Sequence, residues 1–296
     1  MNIIECAGLR RRYGRVWALS ECTLAIPQGH LVALVGPNGA GKTTLLNLVV
    51  GLTHPTAGQV RVLGTELAGS PAALDGIAFV AQDMPLYKHL SVADMVHLTC
   101  NLNLNFDRTY ARRRLTELGI NTKQKAGKLS GGQQAQLALT LALGRHPRLL
   151  VLDEPTSPLD PLARHDFMAT VMTAMADEGM SVVLSSHMLA ELERVADYLV
   201  LIARGRVRLQ GQVQELLASH RLLTGPLTGA PVPADWEVIQ SSPAGAHTHQ
   251  LVRLPPSEQP LPPAYQARPV GVEELAMGYL RETAASQQPT LTGATR

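Results

Sequence analysis

Gly36-Pro37-Asn38-Gly39-Ala40-Gly41-Lys42-Thr43-Thr44 decides how this chain folds. The spacing is Gly-x-x-x-x-Gly-Lys-Thr, and each part has a chemical task. Gly36, Gly39 and Gly41 let the backbone wrap an anion with its N–H groups. The helix that follows points its N-terminal dipole at the same anion. Lys42 reaches the β- and γ-phosphates of a nucleotide, and the Thr43 hydroxyl is placed to ligate Mg²⁺. Upstream, Leu31–Val35 is an apolar run of strand length; downstream, residues 43–50 read as a helix. Strand, loop and helix in that order are what such a loop requires, and a merely structural glycine turn would not need them.

Farther along, the apolar run Leu149–Leu152 ends in Asp153-Glu154. Two carboxylates at a strand end have distinct uses beside a phosphate loop. Asp153 is expected to hold Mg²⁺, and Glu154 to polarise the attacking water as general base. The alternative is that both only favour the start of the next helix; the loop upstream decides for the chemical reading.

Ile77–Val80, Val182–Ser185 and Tyr198–Ile202 are apolar on both faces, as parallel strands buried between helices are. Helical stretches at 161–176 and 188–196 alternate with them, which defines an α/β core. Residues 1–30 and 58–64 read instead as short strands with turns, forming a small antiparallel sheet beside that core. Residues 84–128 read as a helical insertion, with charged patches at Arg112–Arg114 and Lys123–Lys128.

Beyond residue 215 the composition shifts. Residues 216–282 read as a small C-terminal α+β extension, with strands at 236–240 and 250–254 and a closing helix at 271–281. Residues 283–296, rich in Ser, Thr and Gln, read as a disordered tail.

Composition narrows the function. Across 296 residues, 45% are hydrophobic but only 4% aromatic, so the core is built from aliphatic side chains. The net charge of +2 gives nucleic-acid binding no bulk support, and no nucleic-acid partner is expected. Three unpatterned cysteines argue against a disulfide framework and suit a reducing cytosol. No secretory leader is visible, and no run approaches 18 apolar residues. A membrane path, if one is involved, is expected from another polypeptide.

Leu129-Ser130-Gly131-Gly132-Gln133 adds the second half of the reading. A Ser hydroxyl and glycine N–H groups opening a helix make another anion site. Residues 1–215 resemble an ATP-binding cassette (ABC) ATPase domain, a P-loop NTPase with its motifs in the family's order, and Ser130, Gly131, Gly132 and Gln133 match the family signature. The resemblance implies a head-to-tail dimer in which this signature clamps ATP held on the phosphate loop of another copy. It implies that Tyr13 stacks on adenine, that Gln82 touches Mg²⁺ or the water, that Asp160 crosses the interface, and that His187 contacts the γ-phosphate. Catalysis would then rest on Glu154, His187, Gln82 and Lys42, with ATP and Mg²⁺ bound by Gly36–Thr44, Thr43, Gln82 and Asp153.

There are departures. Two positions that usually carry arginines after the signature read Gln136 and Leu141, which implies missing salt bridges. Pro158 stands where a small residue is usual, fixing φ and removing a donor. Neither touches a phosphate.

The family most often powers transport. The chain looks most like bacterial export-type subunits that serve a separate integral-membrane permease. It would pair with itself or with a paralogous ATPase, on the inner face of the membrane. The segment 85–90, Pro-Leu-Tyr-Lys-His-Leu, is read as the permease contact. The alternative is a non-transport ABC ATPase on a ribosome or nucleic-acid assembly. A single cassette with no long coiled coil counts against it.

Overall fold

The computed structural model describes residues 1–84, 86–103, 105–187, 193–227, 232–255 and 264–285. Its centre is a six-stranded sheet of order β10-β9-β3-β8-β7-β6. The strands are β3 (Leu31–Val35), β6 (Ile77–Val80), β7 (Leu149–Asp153), β8 (Ser181–Ser186), β9 (Tyr198–Ala203) and β10 (Arg206–Gln212). Five run parallel, and β10 closes one edge antiparallel to β9. β3, β7, β8 and β9 are buried at every position, which explains the apolar runs at their centres; the buried polar residues, Asp153 and Ser181, Ser185 and Ser186, stand at strand ends.

Each face of this sheet has its own core. One side carries α1 (Lys42–Val49) and a second sheet, of order β2-β1-β4-β5, built from β1 (Asn2–Tyr13), β2 (Val16–Pro27), β4 (Ala57–Val62) and β5 (Glu66–Leu67). The other side carries α5 (Gly131–Leu143) and α6 (Pro161–Glu178), packed through Leu139, Leu143, Phe167 and Val171. Burying one such side chain contributes about 1.5–3 kcal/mol, so these two layers supply most of the hydrophobic stabilisation.

α2 (Pro71–Gly76) leads into β6; the insertion holds α3 (Val92–Leu102), α4 (Arg108–Glu117) and a 3₁₀ turn at Ala126–Lys128. Its own small core includes Val92, Phe106, Ala111, Leu115, Leu137 and Leu141. Ser91 caps α3 with a reciprocal Ser–Asp94 box, and Asp107 caps α4. The 188–196 helix is not supported where it can be described. Residues 188–192 lie outside the described residues, and 193–195 form a turn.

The extension is richer than its sequence suggests. The two expected strands appear as a hairpin, β12 (Glu237–Ala244) and β13 (His247–Arg253), flanked by β11 (His220–Pro226) and β14 (Gln266–Arg268) in the order β12-β13-β11-β14. β11 and β14 were hidden by Pro, Gly and Thr in an otherwise loop-like composition. The last helix runs Val272–Ala285, so residues 283–285 are helical rather than part of a tail. Leu275 and Ala276 join the main core cluster, with Tyr279 and Leu280 packed against it. Among the described residues, no helix is long and apolar enough to cross a membrane.

Candidate active site

Four neighbouring parallel strands deliver the chemistry to one edge. Gly36 follows β3, His187 follows β8, Glu154 follows β7, and Gln82 comes just after β6. The crevice outside the carboxyl ends of parallel strands is where α/β sheets bind ligands. Here it is a cavity of about 630 Å³ lined by Val16, Trp17, Ala18, Asn38–Thr44, Gln82, Glu154, Ser157 and His187.

The phosphate loop needs its glycines for definite reasons. A Cβ on Gly36 would lie 2.1 Å from the Ile202 carbonyl oxygen. Gly41 has φ 106 and caps α1 with no side-chain hydrogen bond. A Cβ there would fall 2.7 Å from the Ala18 oxygen. The first N–H groups of α1 are therefore left to a ligand.

Lys42, only 6% exposed, donates from Nζ to the Gly36 carbonyl (2.8 Å) and lies 3.5 Å from Glu154 Oε1. Glu154 Oε2 is 3.1 Å from His187 Nδ1. One carboxylate thus bridges the loop lysine and the histidine. The Glu154 backbone has φ 45, a left-handed conformation that costs a non-glycine residue about 1–3 kcal/mol. It is held there by its N–H, which donates to Ser185 Oγ at 2.9 Å. Ser185 in turn donates to Asp153 Oδ1 at 2.5 Å. Ser185 is therefore the orienting residue of the carboxylate pair. In sequence it is indistinguishable from any other polar residue at a strand end.

Asp153 is buried beneath the cavity, one oxygen engaged by Ser185. Thr43 and Gln82 line the cavity itself. These are all oxygen donors. Mg²⁺ commonly takes one or two carboxylates and completes its shell with water and substrate phosphates, so the set fits that ion bound together with a nucleotide. Among the described residues no group of three or more His, Cys, Asp and Glu is arranged to hold a metal alone.

The signature residues lie elsewhere. Ser130 caps α5, accepting from the Gln133 N–H, while Gln133 Oε1 accepts from the Ser130 N–H. Ser130–Gln133 line a second cavity of about 450 Å³ with Gln136, Pro158, Asp160 and Asp166. Asp160 caps α6, accepting from the Ala163 N–H at 2.9 Å. The two cavities share no lining residue.

Of the expected site residues, Gly36, Pro37 and Asp153 line neither cavity, and nor does Tyr13. Tyr13 is 45% exposed, with the Arg11 guanidinium 4.6 Å from its ring centre. It faces Val16 across the β1–β2 turn, and Val16 does line the nucleotide cavity, so Tyr13 stands at its rim. Val16, Trp17, Ala18 and Ser157 were missed as lining residues. The hairpin reaches the loop only through the tertiary approach of Ala18 to Gly41, which has no local sequence signal.

The departures also have structural answers. Leu141 is absorbed into the apolar core of the insertion. Gln136, 8% exposed, accepts a hydrogen bond at 2.9 Å from Arg114 of α4. In the proposed permease contact, Leu86 and Leu90 pack against the insertion core while Tyr87 is 56% exposed; Pro85 lies outside the described residues.

A glycine loop cradling a helix N-terminus, a buried carboxylate pair and a histidine at one sheet edge define a nucleotide-hydrolysing P-loop domain. The family profile described as ABC transporter matches residues 19–157. The thiamine import ATP-binding protein ThiQ of Shigella flexneri serotype 5b is 33% identical over 201 residues, 66% of this chain and 87% of that protein. The lantibiotic transport ATP-binding protein SrtF of Streptococcus pyogenes is 32% identical over 209 residues, 70% of this chain and 90% of its own. Among solved structures, an ATP-binding subunit of an ABC transporter is similar with a TM-score of 0.65 and 28% identity, over 73% of this chain and 92% of that one. The chain belongs to the ABC transporter family as one of its ATP-binding, ATP-hydrolysing subunits.

Proposed function

We propose that this subunit hydrolyses ATP in two composite sites of a head-to-tail homodimer and drives a separate membrane permease, in the export direction. The observation that carries the composite reading is the separation of the two cavities. Lys42, Glu154 and His187 stand in one; Ser130–Gln133 and Asp160 stand in the other. A second copy, turned head to tail, completes both. Dimeric arrangement is known for a similar bacterial ABC transporter cassette, with a TM-score of 0.63 and 25% identity.

In this reading ATP lies along Gly36–Thr44, its phosphates on the loop N–H groups and Lys42. Mg²⁺, held by Thr43, Asp153 and Gln82, neutralises phosphate charge when bound. Glu154 accepts a proton from the attacking water. The water oxygen bonds to the γ-phosphorus as the bond to the ADP oxygen breaks. His187 keeps Glu154 oriented and faces the γ-phosphate. Tyr13 contributes a face to adenine from the cavity rim. Ser130, Gly131, Gly132 and Gln133 of the other copy close over the γ-phosphate, with Asp160 beside them.

Export is supported by the extension. Its last helix packs into the main core, and SrtF, a lantibiotic transport protein, is among the relatives. ThiQ is named for import, so direction needs its own measurement. ATP-driven uptake of substrate into inverted membrane vesicles carrying the permease means export; uptake only into right-side-out vesicles means import. The composite sites are tested by mixing two inactive variants, Lys42→Ala and Ser130→Arg. Each mixed dimer retains one intact site, so ATPase activity returns on mixing. Activity that stays at zero in the mixture, or a wild-type rate independent of protein concentration, defeats the dimer reading.

A further inference from the structure

Arg114 has an unusual environment. It lies on α4, at the end of the charged patch Arg112–Arg114, yet its guanidinium turns inward. Nη2 donates to Gln136 Oε1 on α5 at 2.9 Å and to Thr170 Oγ1 on α6 at 2.7 Å. Its Nε is buried without a hydrogen-bond partner. Among the described residues no carboxylate lies within ion-pairing distance of it. The charged and titratable groups that act on it are Tyr110 and Glu117, both on α4, and burial pushes its pKa down.

A half-buried cation on neutral acceptors is costly unless it serves something. The location says what. Gln136 is a wall of the signature cavity, and α6 begins at Asp160 and carries Asp166, two more walls of that cavity. One guanidinium therefore ties together the two helices whose N-terminal ends shape the pocket. Its positive charge sits behind a cavity that receives an anion under the composite reading.

We propose that Arg114 is a positioning residue for the composite reaction, fixing the signature helix against α6 and lending positive charge to the pocket that closes on the partner's ATP. This rests on the head-to-tail dimer proposed above. It separates two properties that a merely structural role would move together, namely ATP binding at Lys42 and ATP-dependent dimer closure.

The test uses the full chain in a Glu154→Gln background, where ATP is bound without turnover. Arg114→Met keeps the length of the side chain and removes the fork and charge; Arg114→Lys keeps the charge alone. ATP affinity is read with a fluorescent ATP analogue, dimer formation by analytical ultracentrifugation with ATP, and folding by thermal melting. Arg114→Met is expected to bind nucleotide within about twofold of its parent. Its dimer is expected to be weaker by about tenfold or more, as loss of a charge-assisted hydrogen bond predicts. Arg114→Lys falls between. Arg114→Met combined with Gln136→Arg, which returns a guanidinium from the other side of the same contact, restores closure. Parent-like dimerisation of Arg114→Met overturns the proposal. So does a loss of nucleotide affinity equal to the loss of dimerisation, or failure of the Gln136→Arg rescue in a chain that melts normally. If the Glu154→Gln parent itself stays monomeric with ATP, the composite reading has failed, and the inference falls with it for that distinguishable reason.

Discussion

The two cavities of this chain differ in how much they contain. The nucleotide cavity is internally wired: Glu154 contacts both Lys42 and His187, and Ser185 holds Asp153 and the Glu154 backbone together. The signature cavity holds a capped helix end and a capping aspartate, each satisfied by its own helix. Under the composite reading, one pocket carries the reactive groups and the other carries recognition. A chain built this way gains chemical competence at one place and its control at another. Mutations should therefore separate into those that abolish the reaction and those that abolish assembly.

The largest expected effect falls on the wired side. Glu154→Gln keeps the shape of the side chain and its reach toward Lys42 and His187, but it removes the base. General-base contributions of about 10²–10⁴-fold set the expected loss in turnover. Nucleotide binding persists, and ATP then traps a dimer visible by size-exclusion chromatography. Turnover near wild type would make Glu154 a structural bridge between Lys42 and His187 and erase the contrast between the cavities.

A smaller effect is expected at the rim. Tyr13→Ala removes one aromatic face from the base end of the nucleotide cavity. Base stacking on an aromatic side chain is worth about 1–3 kcal/mol. The Arg11 guanidinium already covers part of the Tyr13 ring, so the lower end of that range is expected. The measurement is the ATP dissociation constant by fluorescent-analogue displacement, compared with Trp17→Ala on the opposite strand. A larger loss from Trp17→Ala than from Tyr13→Ala would move the base platform from the rim to the cavity wall.

The contrast also explains what could be read from the chain alone. Gly36–Thr44, Asp153-Glu154 and Ser130–Gln133 are local patterns, in which each residue acts within a few positions of its neighbours, so spacing reveals them. The parallel strands were legible because burial on both faces leaves an unbroken apolar run. Ser185, Val16, Trp17 and Ala18 act across tertiary distance, and nothing near them in sequence marks that role. Nothing in the sequence sets Arg114 apart from Arg112 and Arg113; its inward turn depends on Gln136 and Thr170, 22 and 56 positions away. β11 and β14 were missed because their pairing with β13 and with each other, not their composition, makes them strands.

The smallest effect concerns the extension, far from either cavity. His220 is fully buried at the start of β11. Its Nδ1 lies 2.7 Å from the Leu216 carbonyl, which can only accept, so that nitrogen carries the proton; Nε2 accepts from the Tyr279 hydroxyl at 3.0 Å. Burial, as the leading cause, pushes the His220 pKa below its ordinary value, with the Leu216 carbonyl opposing and Arg253 adding to the shift. The fold thus holds the neutral ring, whereas the unfolded chain protonates it near pH 6.5. This contribution to stability is complete above that pH and is lost as pH falls from there through the folded value. Trp236, buried against the same sheet, reports on the extension once Trp17 is replaced by Phe. In that background the urea midpoint of Trp236 emission should fall between pH 7 and pH 5. His220→Gln should flatten the slope while lowering the midpoint at pH 7, since the substitution disturbs two buried hydrogen bonds. An unchanged slope in His220→Gln would assign the acid sensitivity to another group, and a pH-independent midpoint in the parent would mean that folding does not shift the His220 pKa.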